Sequence, residues 1–177
     1  MTVFEAIKSR TSYRRPYLEE KVPREDLMKI LEAGYAAPSG CNAQTTSFIC
    51  VDDEAILAKL RENMRHPVGK TAPALIFILA QDIPSYHGKS YSVQDYAAAI
   101  ENILLETVEL GYQSCWVEGF VKDDKGFDKI IAEILGVPAE YRVVAMLPIG
   151  KAGSELSHVE KKPMEDRVFF NGFGKML

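Results

Sequence analysis

The sequence predicts a single α+β domain with a mixed or antiparallel central sheet flanked by helices. Two observations lead to this prediction. Amphipathic helical stretches alternate irregularly with short apolar strands, and no linker, internal repeat or low-complexity segment divides the chain. A length of 177 residues suits one domain with a sizeable core, so residues 1–177 are predicted to form one unit.

The first two predicted elements are helices separated by an irregular segment. Residues 3–8 have a helical pattern. Pro16 disfavours helix at the residue before it, so residues 9–16 are predicted to be irregular or extended. Pro23 stands where the first turn of a helix tolerates proline, and an apolar stripe continues from there to about residue 37.

The remaining elements follow from caps, breakers and apolar runs. Asp52 and Asp53 are predicted to cap the third helix. Ser92 and Asp95 have the spacing of a capping box at the start of the longest helix, which Gly111 ends. This helix has too many apolar positions for one face, so it is predicted to be central. The other predicted elements are strands at 48–51, 73–79, 115–121 and 142–149, a polar connection at 81–92 and a helix at 127–135.

The C-terminal segment is polar at first and ends in aromatic side chains. Phe169, Phe170 and Phe173 have no further element to cover them, and a soluble monomer rarely exposes such a segment. Residues 151–177 are therefore predicted to form an arm that packs on a partner subunit. The alternative is that the arm folds back over its own core.

Composition restricts the classes of partner. The chain is 47% hydrophobic and 26% charged, as in ordinary globular proteins, and its net charge of −4 predicts neither nucleic-acid nor membrane binding. The longest apolar run, residues 72–80, is far shorter than a membrane span, and the N-terminus lacks a signal-peptide pattern. Three cysteines without a CxxC motif favour a reducing, cytoplasmic compartment.

Four polar clusters offer nearly all of the chemistry. Arg10, Ser12, Arg14 and Arg15 place three guanidinium groups and a hydroxyl within six residues, which suits a phosphate group, although such a cluster is often only a solvated face. Residues 38–44 crowd hydroxyl, amide and backbone donors into a turn that could equally be an ordinary loop. The other clusters are the segment 116–120, with a carboxylate and a glycine that permits close approach of a flat ligand, and the late lysines Lys151, Lys161 and Lys162.

Motifs for nucleophilic, metal and nucleotide chemistry are missing from the sequence. It contains no GxGxxG after a strand, GxxxxGK[ST], HExxH or GxSxG motif, and its three histidines have no metal-ligand spacing. Cys41 is a weak candidate nucleophile because no histidine is evidently placed to activate it. Phosphate donors without a nucleophile or a metal suggest a bound cofactor that performs the chemistry itself.

Five motifs in order resemble the nitroreductase family of FMN-dependent oxidoreductases. They are RTSYR, APSGCNAQ, DYAAAIENILL, GYQSCWVEGF and LGVPAEYRVVAMLPIG. The resemblance implies an α+β sandwich that forms an intertwined homodimer, with FMN at the subunit interface. It also implies electron transfer from NADH or NADPH to a small acceptor, such as a nitroaromatic or a quinone, by a ping-pong mechanism.

The resemblance also assigns the residues of the site. No catalytic side chain is implied beyond electrostatic support from Arg14 or Lys70, because the flavin carries the chemistry at its N5 atom. The segment Val117, Glu118 and Gly119 would line the flavin ring near N5, chiefly through backbone groups. The other cofactor-binding residues implied by the resemblance are Arg10, Thr11, Ser12 and Arg14 at the phosphate and pyrimidine side, Pro38, Ser39 and Gly40 from the partner, Asn42 and Gln44 in the same loop, Lys70 near the carbonyl edge, and one of Lys151, Lys161 and Lys162 at the phosphate.

Other functions remain open at this point. Related flavin chemistry, such as reductive dehalogenation or enone reduction, would use the same cofactor site. A non-enzymatic FMN storage or redox-sensing module would need the site but no acceptor. The sequence departs from the family after Gln44, where Thr45-Thr46 replaces Pro-Trp, and the short connection at 81–92 predicts an open pocket.

Overall fold

The computed structural model describes residues 1–123 and 125–175, so Asp124 and the last two residues of the predicted arm, Met176 and Leu177, lie outside the described residues. Within that part of the chain, five α-helices and three strands form an α+β domain, which confirms the predicted fold class. In chain order they are α1 (Val3–Ser9), α2 (Arg24–Tyr35), β1 (Thr46–Val51), α3 (Glu54–Asn63), β2 (Ala74–Ala80), α4 (Ser92–Glu109), α5 (Phe127–Leu135) and β3 (Arg142–Ile149).

The sheet has the order β1-β2-β3, and both strand pairs are antiparallel. Phe77 in the middle strand stands opposite Ile49 of β1 and Met146 of β3. Every residue of β2 is buried, as its continuous apolar run predicts.

Helices cover both faces of the sheet and bury two separate clusters of side chains. Leu75, Phe77 and Leu79 of β2 point to one cluster, and Ala74, Ile76, Ile78 and Ala80 point to the other, because side chains alternate along a strand. The first cluster is completed from α3 and α5 by Leu57, Leu60, Phe127 and Ile131, and the second from α2 and α4 by Leu27, Ile30, Tyr96, Ile100, Ile103 and Leu104. Each of these large side chains contributes roughly 1.5–3 kcal/mol by burial.

Local sequence signals set several helix ends as predicted. The Asp53 side chain accepts a hydrogen bond from the backbone N–H of Ile56 and caps α3. Gly111 follows α4 with a φ of 82°, and Gly136 ends α5 in the left-handed conformation. The prediction that α4 is central is also confirmed, since it packs against α1, α2, β1 and β2.

The predicted strand at 115–121 is wrong. Val117 pairs with Met146 as an isolated bridge, whereas Ser114 pairs on its other side with Ser12, so the segment is shared between two neighbours and forms no continuous ladder. The chain then turns, and the N–H of Lys122 donates to the carbonyl of Glu118. This irregular backbone leaves residues 117–119 at the end of the sheet.

The C-terminal arm leaves the domain beside the segment that follows α1. The hydroxyl of Tyr13 accepts hydrogen bonds from the backbone N–H groups of Gly153 and Ser154 and donates to the carbonyl of Pro16. Beyond this anchor, residues 153–168 are exposed, and the Phe173 side chain is 94% exposed. Over the described residues, then, the arm does not cover its own core.

Within residues 1–123 and 125–175, no helix is both long enough and apolar enough to cross a bilayer.

Candidate functional site

The arginine cluster lies on an extended segment that is fixed against the core. The N–H of Tyr13 donates to the carbonyl of Ser114 over 2.9 Å, and Ser12 bridges the same residue. A cavity of about 180 Å³ opens here, lined by residues 11–15 together with Glu155 and Ser157. Two arginines and one glutamate line it, so its net charge is +1, which favours an anionic ligand.

The arginine cluster lies near Cys115, because Ser12 pairs with the preceding residue, Ser114. Burial raises the pKa of the Cys115 thiol, and Arg14, Ser12 and Arg10 act in the opposite direction. Arg10 also forms an ion pair with Glu101 at 3.5 Å. The guanidinium of Arg14 is exposed and donates to the carbonyl of Ser12 at 3.3 Å.

The hydroxyl of Thr11 does not face the small cavity as a free donor. Thr11 is buried, and its hydroxyl donates to the carbonyl of Ser157 at 2.6 Å. This bond ties the arm to the arginine cluster. Lys161 and Lys162 follow Ser157 by four and five residues and are exposed on the arm.

The other two predicted lysines lie on different sides of the same segment. Lys70 is exposed and precedes Thr71, whose hydroxyl accepts the N–H of Tyr17 at 2.8 Å. Lys151 forms an ion pair with Glu20 at 2.7 Å. Lys70 is therefore next in sequence to a residue that bonds Tyr17, shortly after the arginine cluster, whereas Lys151 is engaged by a carboxylate.

Residues 117–119 present backbone donors at an open surface. Val117 is buried and paired with Met146, whereas Gly119 is exposed. Among the described residues, no backbone carbonyl accepts the N–H of Glu118 or Gly119. A Cβ atom added to Gly119 would meet nothing within 4 Å, so a flat ligand can reach this backbone.

The side chain of Glu118 points into a network and away from that open surface. Its carboxylate accepts hydrogen bonds from the hydroxyl of Tyr96 at 3.1 Å and from Nε1 of Trp116 at 3.0 Å, and it pairs with Lys122. The ammonium of Lys122 also donates to the hydroxyl of Tyr96 at 3.0 Å. These contacts fix the backbone at Glu118 and occupy its carboxylate.

Protonation of the network follows from these contacts. Partial burial raises the pKa of Glu118, but the hydrogen bonds from Lys122 and Tyr96 outweigh it, and the net result is a lowered pKa. Burial lowers the pKa of Lys122, and its bonds to Glu118 and Tyr96 reverse this to a raised pKa. Both groups are therefore charged near neutral pH.

The loop at 38–44 lines a different and larger cavity of about 600 Å³. Its backbone is strained, because Cys41, Asn42 and Gln44 have φ values of 53°, 55° and 49°. The hydroxyl of Ser39 accepts the N–H of Gln44 at 3.0 Å and keeps its own proton free to donate. Cys41 is exposed.

Asp95 holds this loop in place. One carboxylate oxygen accepts the N–H of Gly40 at 2.8 Å, and the other accepts the hydroxyl of Thr45 at 2.7 Å. The predicted capping box is therefore wrong, because Asp95 is used across space and the hydroxyl of Ser92 donates to Asp82. The buried carboxylate of Asp95 accepts two hydrogen bonds from the loop. These bonds satisfy more donors than a single bond to the N-terminal N–H groups of its own helix would.

The structure brings together some of the predicted residues and separates others. Ser12 and Tyr13 pair with Ser114, which precedes residues 117–119, and the hydroxyl of Thr11 bonds to Ser157 of the arm that carries Lys161 and Lys162. The loop at 38–44 lines a cavity that has no residue in common with the cavity at the arginine cluster.

Sequence analysis missed Tyr13, Asp95, Tyr96 and Lys122. Tyr13, Asp95 and Tyr96 bond residues more than 20 positions away in sequence, and no local pattern marks such contacts. Lys122 lies four residues after Glu118, and this spacing was the one local signal for its ion pair.

Comparison with known proteins identifies the family. A model described as the Nitroreductase family matches residues 7–65 and 57–151, which is most of the chain. The chain belongs to the nitroreductase family. The resemblance expected from the five motifs is confirmed.

Three related proteins align with most of this chain. A protein of Archaeoglobus fulgidus, provisionally named NADH dehydrogenase/NAD(P)H nitroreductase, is 33% identical over 147 residues, covering 82% of this chain and 83% of its own. The solved FMN-dependent nitroreductase of Clostridium difficile R20291 is 33% identical with a TM-score of 0.79, covering 96% of this chain and 99% of its own. Iodotyrosine deiodinase of Thermotoga neapolitana is 28% identical, covering 84% and 87%.

We predict that Glu118→Gln destabilises the protein in a defined pH window. Because the pKa of Glu118 is lowered in the folded state, its carboxylate stabilises the fold at pH values above the ordinary pKa of 4.5. This contribution is lost as the pH falls through the folded pKa. Because the pKa of Lys122 is raised in the folded state, its ammonium group stabilises the fold at pH values below the ordinary pKa of 10.5. This contribution is lost as the pH rises through the folded pKa. The difference in unfolding free energy from the parent should therefore be largest near neutral pH.

Urea unfolding of both proteins at several pH values measures this window. Glu160→Gln is the matched control, since Glu160 lies exposed on the arm. A Glu118→Gln deficit that is the same at pH 4 as at pH 7 would contradict the assignment.

Proposed function

We propose that the protein transfers reducing equivalents from NAD(P)H to a small acceptor, such as a nitroaromatic or a quinone, in alternating half-reactions. Membership of the nitroreductase family and the FMN-dependent relative establish an oxidoreductase that uses FMN. Bound FMN supplies the two-electron redox chemistry between donor and acceptor. The observation that carries the proposal is that one stretch of chain, residues 114–119, pairs with the arginine cluster at Ser114 and leaves the N–H groups of Glu118 and Gly119 without a backbone acceptor among the described residues.

The residues at that surface fit FMN. Arg10, Ser12 and Arg14 offer charge-assisted and hydroxyl donors for the single phosphate, with Lys161 or Lys162 of the arm as further cations. Thr11 serves by holding the arm. Lys151 is a weaker candidate for binding the phosphate, since it forms an ion pair with Glu20.

The ring system would lie against residues 117–119. Glu118 and Gly119 offer N–H donors, and the absence of a Cβ at Gly119 leaves space for a planar group. Positive charge from Arg14 or Lys70 would stabilise negative charge on the ring. The carboxylate of Glu118 is held by its network, so it positions backbone donors and does not transfer protons.

We further propose that the active unit is a homodimer in which the loop with Pro38, Ser39 and Gly40 comes from the partner subunit, with Asn42 and Gln44 shaping it. In a single chain this loop lines its own cavity, distinct from the one at the arginine cluster. The aromatic arm, which is exposed in one chain, would pack on the partner and bury its phenylalanines.

Reductive dehalogenation is the second candidate function. It is favoured by the similarity to the iodotyrosine deiodinase of Thermotoga neapolitana. The same FMN site would serve, and the acceptor would be a halogenated phenol. The following experiment also distinguishes two other functions. One is reduction of an enone, and the other is FMN storage or redox sensing without an acceptor.

Anaerobic mixing of the FMN-loaded protein with NADH or NADPH tests the proposed function. We expect the flavin absorbance to bleach with at least one donor and to return when a quinone or a nitroaromatic is added. Return with a halogenated phenol or an enone alone would support the other flavin chemistries. No bleaching by either donor would contradict NAD(P)H oxidation and favour storage.

Gly119→Ala tests the place of the ring system. Since the added Cβ meets nothing within 4 Å, the unfolding free energy of the FMN-free protein should change by less than about 0.5 kcal/mol. FMN affinity, measured by fluorescence quenching, should fall by about tenfold or more, because the methyl group occupies the approach to the backbone. Unchanged FMN affinity would place the ring elsewhere.

Removal of residues 163–177 tests the arm. This truncation keeps Lys161 and Lys162. Apart from the half-buried Phe169, the described residues that it takes away lie exposed in one chain. We expect the shortened protein to sediment as a folded monomer with weakened FMN binding. A full-length chain with Phe170→Ser and Phe173→Ser should reproduce the loss, because it removes the apolar side chains and keeps the length. An FMN-loaded monomer of the parent chain would rule out the homodimer.

A further inference from the structure

A third concave site lies between the end of α3 and the start of α5. It encloses about 240 Å³ and is lined by Asn63, Arg65, His66, Phe120, Asp123, Lys125, Phe127 and Ile130. We call this site the aromatic pocket. None of its residues belongs to the cofactor site proposed above.

Three rings form one wall of the aromatic pocket. His66 stacks on Phe120 with centroids 5.6 Å apart and an angle of 17° between the ring planes. Phe120 in turn lies 5.6 Å from Phe127, which is buried. A planar aromatic ligand gains both apolar burial and stacking against such a wall.

The polar groups of the pocket favour a negatively charged ligand. Arg65 and Lys125 are exposed, and neither side chain forms an ion pair with another described residue. Asp123 accepts the backbone N–H of Lys125 at 3.0 Å and contributes the single negative charge among the described lining residues, whose net charge is therefore +1. Nδ1 of His66 accepts the N–H of Val68 at 3.2 Å, so Nε2 carries the proton of the neutral ring and is a further donor.

Two residues of the three-ring wall are neighbours in sequence of segments that belong to the proposed cofactor site. Phe120 directly follows Gly119. His66 directly precedes Pro67, whose carbonyl accepts the N–H of Lys70 at 3.1 Å. A ligand in the aromatic pocket therefore lies beside two segments that would line the flavin.

We propose that the aromatic pocket binds a small aromatic carboxylate and thereby selects aromatic acids among the acceptors. The three-ring wall receives the ring, and Arg65 and Lys125 pair with the carboxylate, for which the planar guanidinium is well suited. Pockets for drug-sized ligands are typically about 300–1,000 Å³, so 240 Å³ suits a single-ring compound. The role in acceptor selection rests on the proposed function, whereas the binding site itself does not.

Calorimetric titration of the FMN-loaded protein with 4-nitrobenzoate and with its neutral analogue 4-nitrobenzamide tests the proposal. We expect the carboxylate to bind at least about tenfold more tightly than the amide. Arg65→Gln combined with Lys125→Gln should abolish this preference, and Phe120→Leu should weaken both ligands. Lys129→Gln is the matched control, because Lys129 is exposed on α5 and does not line the pocket.

The titration is repeated on the FMN-free protein without NAD(P)H, so that binding is separated from turnover. A carboxylate preference there supports the pocket even if the flavin is not reduced by NAD(P)H. Equal affinity for the two compounds, or a preference that survives in the double variant, would overturn the proposal. Arg65→Lys should retain most of the preference, which excludes a loss caused by misfolding.

Discussion

The burial of strand β2 on both faces is the constraint on which the other elements depend. All seven of its residues are buried, and alternate side chains enter two different clusters. Each cluster requires its own layer of helices, α3 and α5 on one face and α2 and α4 on the other. With both faces of the sheet covered, backbone groups are free to bind a ligand at the ends of the sheet. The candidate cofactor site lies at such an end.

Helix α4 connects the loop at 38–44 with residues 117–119 through two adjacent residues. Asp95 accepts from the loop at Gly40 and Thr45, and the next residue, Tyr96, donates to Glu118. Hydrogen bonds to charged groups contribute roughly 1.5–3 kcal/mol each, and removal of one partner leaves the other buried and unpaired. One rigid helix thus fixes both a strained loop and the backbone donors beside Gly119.

The residues of the candidate site are suited to hold and orient a cofactor. The donors at the arginine cluster and at residues 117–119 suit a phosphate and a planar ring. Glu118, the carboxylate nearest to the open backbone, is engaged by three partners. A protein that binds a redox cofactor needs this arrangement, because the cofactor carries the electrons and the chain supplies orientation and charge.

The sequence by itself determined the helices and strands whose signals are local. The apolar run of β2, the cap at Asp53 and the glycines after α4 and α5 predicted those elements closely, because propensity and turn chemistry act over a few residues. The ordered motifs likewise predicted the family. Only the tertiary structure decided that residues 115–121 are no strand, that Asp95 holds a loop, and that Glu118 is closed in a network. For the segment at 115–121, for Asp95 and for the bond from Tyr96 to Glu118, the partner lies more than 20 residues away in sequence, and a contact across that separation leaves no periodic trace in the chain.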